Sequence, residues 1–435
     1  MITKMKADIS LYAVLRRILN ELNEQVVDHG ERVAYLYLKM AQYRCYQDDD
    51  HMERIMLTCY AHDIGAYKTE KFLDLLRFDV THTLEHCIYG YLFMKYFSPL
   101  KDDAEVLLYH HTFFSDRHKH EGPYIDDGIL IHFLDRIDIL HIKYEDDADI
   151  MKIITESSGT NFNPLDVDDF IKANEEYRII DHLRDGSYKK EVQAYFDYPD
   201  RILRLLKPTI GMLTSEVDFR SEQTVIHTIT TALLAKKIAL RFKFDAMETE
   251  VIEYAARIHD LGKISVPQEI VEKPGKLTSE EYEEIKKHVI YTKKITEDLF
   301  PEKIVDIAYK HHERLDGSGY PHGLKSEDIE LEARILQIAD VTSALLQKRS
   351  YKDVMDKETV IAILEDEVAK GKLDDNVMKI FLADYDEIID EVCAESRDTI
   401  DIYENLQIEY RKYLVEYENI EPQLEEFELL PSGNL

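Results

Sequence analysis

Residues 227–238 read HTITTALLAKKI, and residues 29–40 read HGERVAYLYLKM. In the first stretch His227, Leu234 and Ile238 fall at i, i+7 and i+11; in the second His29, Val33, Leu36 and Met40 fall at i, i+4, i+7 and i+11, the spacing of one helix face. Each stretch predicts a helix with a histidine on its inward stripe. Outward from both, period-two alternation is missing, and Val and Ile sit inside helical patterns rather than in short runs between turns. The expected fold class is all-α.

Each histidine also opens an ordered series. The first runs His29, His62-Asp63, His86, His110-His111, Asp135; the second runs His227, His259-Asp260, His288, His311-His312, Asp340. The steps are 33, 24, 24 and 25 residues in the first and 32, 29, 23 and 29 in the second, an order that scattered histidines would not keep. Neutral imidazoles combined with hard carboxylates suit Mn, Fe or Zn rather than Ca or Mg alone. The chain thus reads as a duplicated dinuclear metal site.

Composition restricts the partners. The 435 residues carry a formal net charge of −33, which argues against long-range attraction to DNA, RNA or anionic lipid. A small phosphate substrate remains compatible, because bound dications reverse the field of a pocket locally. No run approaches the ~18 apolar residues of a membrane span, and residues 1–25 lack the separated basic and apolar regions of a secretion signal. The four cysteines have neither CxxC spacing nor scaffold density, so reduced thiols and a cytoplasmic location are expected.

Breakers divide the chain. A helix is expected to run from Asp135 to about Glu156, followed by a Ser157–Asn161 loop and a helix opened by Asn163-Pro164. Three segments result: 1–199 with the first series, 200–385 with the second, and an acidic helical appendix at 386–435. In the appendix Tyr403, Leu406, Tyr410, Leu414 and Tyr417 keep helical spacing, which suits packing or dimerisation.

The second series contains the most specific run, His259-Asp260-Leu261-Gly262-Lys263-Ile264, and later His311-His312-Glu313-Arg314-Leu315-Asp316-Gly317-Ser318-Gly319-Tyr320-Pro321. With Lys273–Thr278, His288, Ala339–Leu345 and Arg349–Tyr351, these elements resemble the HD-GYP family of bacterial phosphodiesterases, a branch of the HD metal-dependent phosphohydrolases, over about residues 220–352. The resemblance implies an all-helical domain that hydrolyses cyclic dinucleotides, usually cyclic di-GMP, at two or three metals. Some members of the family bind a third metal through a glutamate four residues before the first histidine; that position is Gln223, so two metals, Fe or Mn, are expected.

Asp260 is expected to bridge two cations, with His227, His259, His288, His311, His312 and Asp340 completing their shells and a bridging hydroxide as nucleophile. Lys263, three residues on, is the candidate point charge for a phosphate oxygen. Arg314, Asp316, Gly319 and Tyr320 are the candidate substrate contacts in a loop that glycine and proline would shape even in an inert protein.

The first series keeps every ligand type, His29, His62, Asp63, His86, His110, His111 and Asp135, and is expected to bind metal. It has Ala66 where the lysine would be and no Gly-Tyr-Pro loop; Lys68 reads as a surface residue. His51, His82, His118, His120, His132, His141, His182 and His322 fit neither series. The expected partner is a small cyclic dinucleotide, with no polynucleotide and no membrane; a homodimer stays open. Two alternatives stand beside the phosphodiesterase, a broader nucleotide or phosphomonoester phosphohydrolase and a non-catalytic cyclic-dinucleotide receptor. The first half is the candidate for regulation.

Overall fold

The computed structural model describes residues 16, 24–66, 83–98, 100–196, 222–271, 273, 275–346 and 355–418. Lys68, His82 and residues 202–206, 349–351 and 431–433 lie outside them, as do the side chains of Gln223, Tyr403 and Tyr417. Two compact units divide the chain: one takes Asn23–Arg201 and resumes at Asn405, and the other takes Ile202–Glu404.

In the first unit, His29 lies on the helix Glu24–Tyr43. From Val33 to Leu38 every residue is buried, so this stretch of the helix is covered on all sides and forms the centre of the unit rather than a surface layer. Asp48 caps the next helix, Asp49–Tyr60, by accepting from the His51 N–H, and the chain then turns through His62, Asp63 and Gly65. The helix Thr83–Phe97 brings His86. A buried 3-10 segment, Ala104–Leu108, precedes His110 and His111, and the helix Ile125–Lys143 carries Asp135.

The helix expected to continue from Asp135 to Glu156 is divided. It ends at Lys143, and Asp146 caps a separate helix, Asp147–Glu156, by accepting from the Ala148 N–H; an acidic side chain that can take this bond favours a new start. Asn163 caps Pro164–Tyr177 in the same way, with Pro164 in the first turn, where its missing N–H costs nothing.

The second unit repeats this order. Glu222–Arg241 carries His227 and buries Leu234 and Ile238, while Lys236 and Lys237 keep one side partly solvated. Ala246–Ile258 opens with a capping box between Asp245 and Glu248, leads into His259-Asp260, and is followed by a 3-10 turn at Leu261–Ser265. His288–Thr296, Glu302–Tyr309 and Leu331–Leu346 deliver His288, His311-His312 and Asp340. Lys357–Ala369 and Asp375–Ala383 follow.

The final helix, Tyr385–Glu418, belongs to the second unit through Glu404 and to the first from Asn405. Within the first unit Leu406 is fully buried, Tyr410 stacks on Tyr89 at 4.0 Å between ring centres, and Glu409 pairs with Lys95 at 2.7 Å. Among the described residues there is no strand, only the isolated bridges Ser158–Phe162 and Asp316–Lys325, and the fold is all-α. No described helix is long and apolar enough to cross a membrane.

Candidate metal centres

Histidine geometry sets up both centres. The ring Nδ1 of His259 stands 2.7 Å from the Ala256 carbonyl, that of His311 2.7 Å from the Ala308 carbonyl and that of His288 2.5 Å from the Ile285 carbonyl, each three residues back in its own turn. His62 and His110 repeat the pattern on the Cys59 and Leu107 carbonyls at 2.8 and 2.7 Å. An Nδ1–H donated to a carbonyl leaves Nε2 as the lone-pair nitrogen, turned inward.

In the second unit those nitrogens meet two carboxylates. Asp260 Oδ2 lies 3.6 Å from His227 Nε2 and 3.2 Å from His259 Nε2, and Asp340 Oδ1 lies 3.1 Å from His227 Nε2. The other oxygen, Asp260 Oδ1, faces His288 Nε2 at 3.3 Å and His311 Nε2 at 3.8 Å, with His312 in the same cluster. One carboxylate therefore divides its two oxygens between two donor sets. All seven residues assigned to this centre from sequence come together.

The donor set fits a pair of cations. Ligand atoms held at roughly 2.0–2.3 Å from one ion stand about 3–3.7 Å apart, which is the spacing observed. His259 Nε2 and Asp260 Oδ1 are buried and make no hydrogen bond, and His288 and His311 bring their Nε2 atoms within 3.3 Å of each other. Acceptors that converge in this way require a cation between them or a proton. Burial alone would raise the Asp260 carboxyl, but His259 and Lys263 outweigh it and hold it well below the usual range; Asp340, facing His227 and His259, behaves likewise. Burial lowers His288 to about 4 and keeps His311 and His312 neutral, the state in which imidazole ligates.

Lys263 places its ammonium 2.5 Å from Asp260 Oδ2, half-buried at the edge of the centre. Gly262 is what brings the turn so close: a Cβ there would stand 2.0 Å from the His288 carbonyl oxygen and 2.4 Å from the Thr292 nitrogen. Tyr320 lies beside the centre, its ring 4.8 Å from that of His312, and its N–H donates to the His312 carbonyl. The buried Glu313 closes the loop by accepting from the N–H groups of His322 and Leu324 at 2.7 and 2.8 Å. Gly319 packs where a Cβ would meet the Glu313 and Arg314 backbone at 2.3–2.5 Å. Arg314 donates to the His311 and Glu313 carbonyls, and the exposed Asp316 accepts from the Ser318 N–H.

The first unit reproduces the arrangement. Asp63 Oδ2 faces His29 and His62 at 3.7 and 3.5 Å, Asp63 Oδ1 faces His86 and His110 at 3.7 and 3.8 Å, and Asp135 Oδ1 lies 3.2 Å from His29. Gly65 makes the same approach as Gly262, with a Cβ placed 1.9 Å from the His86 carbonyl oxygen. Ala66, fully buried, stands at the lysine position.

Four further residues near this centre escaped the sequence reading. Asp138 accepts from Arg32 and lies 2.7 Å from His29 Nδ1, one helical turn beyond Asp135. Arg136 donates to Asp135 Oδ2 at 2.9 Å. Cys87 lies among His86, His110 and His111. His132, read as outside both series, brings a donor atom into one cluster with His111 and Asp135. The signal that finds His132 and Asp138 is helical phase, since they flank Asp135 at i−3 and i+3. His118 is exposed, while His182 and His322 meet the hydroxyls of Tyr35 and Tyr309.

Comparison with known proteins agrees with this architecture. Residues 200–377 match the family described as the HD domain. The 3'3'-cGAMP-specific phosphodiesterase 1 of Vibrio cholerae is 28% identical over 411 residues, spanning 88% of this chain and 93% of that protein. A solved V. cholerae structure, V-cGAP3, described as a cyclic GMP-AMP specific phosphodiesterase, aligns with a TM-score of 0.52 at 18% identity, covering 87% of this chain and 98% of that one, a likeness of fold. The cyclic di-GMP phosphodiesterase of Thermotoga maritima is 31% identical over 265 residues, 56% of this chain and 70% of that protein. Identity at that level along most of a relative's length, in a chain that sets a Gly-Tyr-Pro turn against a paired His-Asp centre, means that this protein belongs to the HD-GYP family of HD-domain phosphohydrolases.

Proposed function

We propose that the second unit hydrolyses a phosphodiester bond of a guanine-containing cyclic dinucleotide and opens the ring to the linear dinucleotide. The observation that carries this reading is the Asp260 carboxylate divided between two donor sets, with the Lys263 ammonium against one of its oxygens. When bound, two dications, iron or manganese by the character of the donors, would supply a nucleophile from water at neutral pH and neutralise charge on the phosphoryl group. His227, His259 and Asp340 would hold one, His288, His311 and His312 the other, and Asp260 both. Lys263 presents a point charge for a non-bridging phosphate oxygen. Tyr320 offers an aromatic face for a base, and Gly319 lets its turn approach. Arg314 and Asp316 act in this reading through the shape of the turn.

Between the two candidate rings, the mixed guanine–adenine ring ranks ahead of cyclic di-GMP. One relative named for 3'3'-cGAMP matches 88% of this chain, against 56% for one of those named for cyclic di-GMP. The test is chromatographic product analysis with anaerobically purified, Mn- or Fe(II)-loaded protein and both rings, comparing wild type with Asp260→Ala. Hydrolysis lost in the variant supports the reading and ranks the rings. Turnover of mononucleotides alone favours the broader phosphohydrolase, and binding without turnover favours a receptor.

For the first unit we propose a regulatory role, because it keeps a full ligand set but has Ala66 in place of the lysine. A rate and substrate dependence unchanged in Asp63→Ala would dismiss it.

A further inference from the structure

Cys87 follows His86 on the helix Thr83–Phe97 and is buried. Its Sγ lies 3.8 Å from His86 Nε2 and 3.9 Å from His110 Nε2, while His86 Nε2 lies 3.1 Å from His110 Nε2 and 3.0 Å from His111 Nε2. One sulfur and three imidazole nitrogens thus close around a single buried point. In the second unit the residue after His288 is Val289, and the matching cluster is Asp260, His288, His311 and His312, without sulfur.

The distances suit coordination. Around one tetrahedral ion, a sulfur at ~2.3 Å and a nitrogen at ~2.0–2.1 Å stand about 3.6 Å apart, within a few tenths of an ångström of what is seen here. A cysteine acting only as a small apolar filler would explain the burial. It would not explain a sulfur directed at the Nε2 atoms of two histidines, where Val289 fills the corresponding place in the other unit.

We propose that Cys87 is a thiolate ligand of the first unit's centre, giving one of its two metal positions three imidazoles and a sulfur. The inference rests on the reading that the first unit binds metal. Binding releases the thiol proton to solvent as the sulfur–metal bond forms. Such a position favours zinc or iron(II) over manganese, whereas the second unit's centre offers only nitrogen and oxygen. The two centres of one chain would then differ in metal preference.

The test uses the full-length protein, stripped of metal and reloaded with cobalt(II), in wild-type, Cys87→Val, Cys87→Ser and Asp63→Asn forms. Cys87→Val installs the residue that the second unit tolerates at this place, and Cys87→Ser is the small polar alternative should valine disturb packing. The readouts are the near-ultraviolet thiolate-to-cobalt charge-transfer band and the cobalt bound per chain. The expected result is a band in wild type that is lost in both Cys87 variants, while the visible bands of the nitrogen and oxygen sites persist. A wild type without the band, or a band that survives in both variants, overturns the proposal. The cobalt count identifies which idea has failed. If Asp63→Asn lowers the count but wild type has no band, only the sulfur ligand is wrong; if Asp63→Asn leaves the count unchanged, the first unit holds no metal and the underlying reading falls with it.

Discussion

Lys263 is the residue that separates charge from coordination in the second centre. Its ammonium touches Asp260 Oδ2, while His259, His288 and His311 take their orientation from backbone carbonyls and His227 from Ser343. Lys263→Met should therefore leave metal content near that of wild type and lower kcat by roughly 10²–10³-fold, the usual cost of one electrostatic contact to a developing anion. Metal analysis beside steady-state kinetics checks both halves, and loss of metal together with rate would mean that the lysine is structural. The residues that cluster in the two centres were legible from sequence because each supplies one donor type in a fixed order. Cys87, His132, Arg136 and Asp138 were not, because they lie outside the repeated series, and it is helical phase and side-chain direction that bring them to the first centre. Arg314 and Asp316 illustrate the opposite difficulty: chemistry that suits a ligand also suits a turn, and in this structure their hydrogen bonds go to the turn.

At the level of elements, the turn after each His-Asp pair is locked against the next ligand-bearing helix. Gly262 has no room for a methyl group, because the atom it would meet first is the carbonyl oxygen of His288, which cannot rotate away as a side chain would. Gly262→Ala is expected to push the His288–Thr296 helix outward, reduce the metal bound by the second unit and abolish its turnover; metal stoichiometry and rate measured together check this, and an alanine variant with full metal would contradict it. The C-terminal helix supports the first unit through aromatic contact: Tyr410 lies on Tyr89, and Tyr413 meets Tyr91 edge-on at 5.3 Å. Tyr410→Ala should cost roughly 1–3 kcal/mol, seen as an earlier thermal transition of that unit. Helices with a clear 3.6-residue stripe were readable in advance, including Pro164–Tyr177 from its Asn-Pro start. The break after Lys143 was not, because no Gly or Pro marks it and the new start comes from Asp146 taking the Ala148 N–H. Nor was the 3-10 form of Ala104–Leu108, where a run of buried Ala, Val and Leu carries no period.

Over the whole molecule, a net charge of −33 would repel a doubly anionic substrate unless the charge were answered locally. In the second unit that answer has to come from cations. Asp260, Asp340 and, in the first unit, Asp135 are buried and held ionised, as is the partly exposed Asp63, so each centre holds two carboxylates whose compensation comes from imidazoles, Lys263 or Arg136. Burying ionised groups costs several kcal/mol apiece when their partners are incomplete. A dication binding only the folded state offsets that cost and adds about 4 kcal/mol when present at a thousand times its dissociation constant. Chelation should accordingly lower the unfolding temperature by several degrees, and Fe(II) should restore it. Scanning calorimetry of wild type, Asp63→Asn and Asp260→Asn separates the contributions: each variant should lose the metal-dependent gain of its own unit and keep that of the other. A chelator that leaves all three transitions where they were would mean that imidazole and ammonium alone satisfy these carboxylates, and the argument from their burial to bound metal would fail in both units.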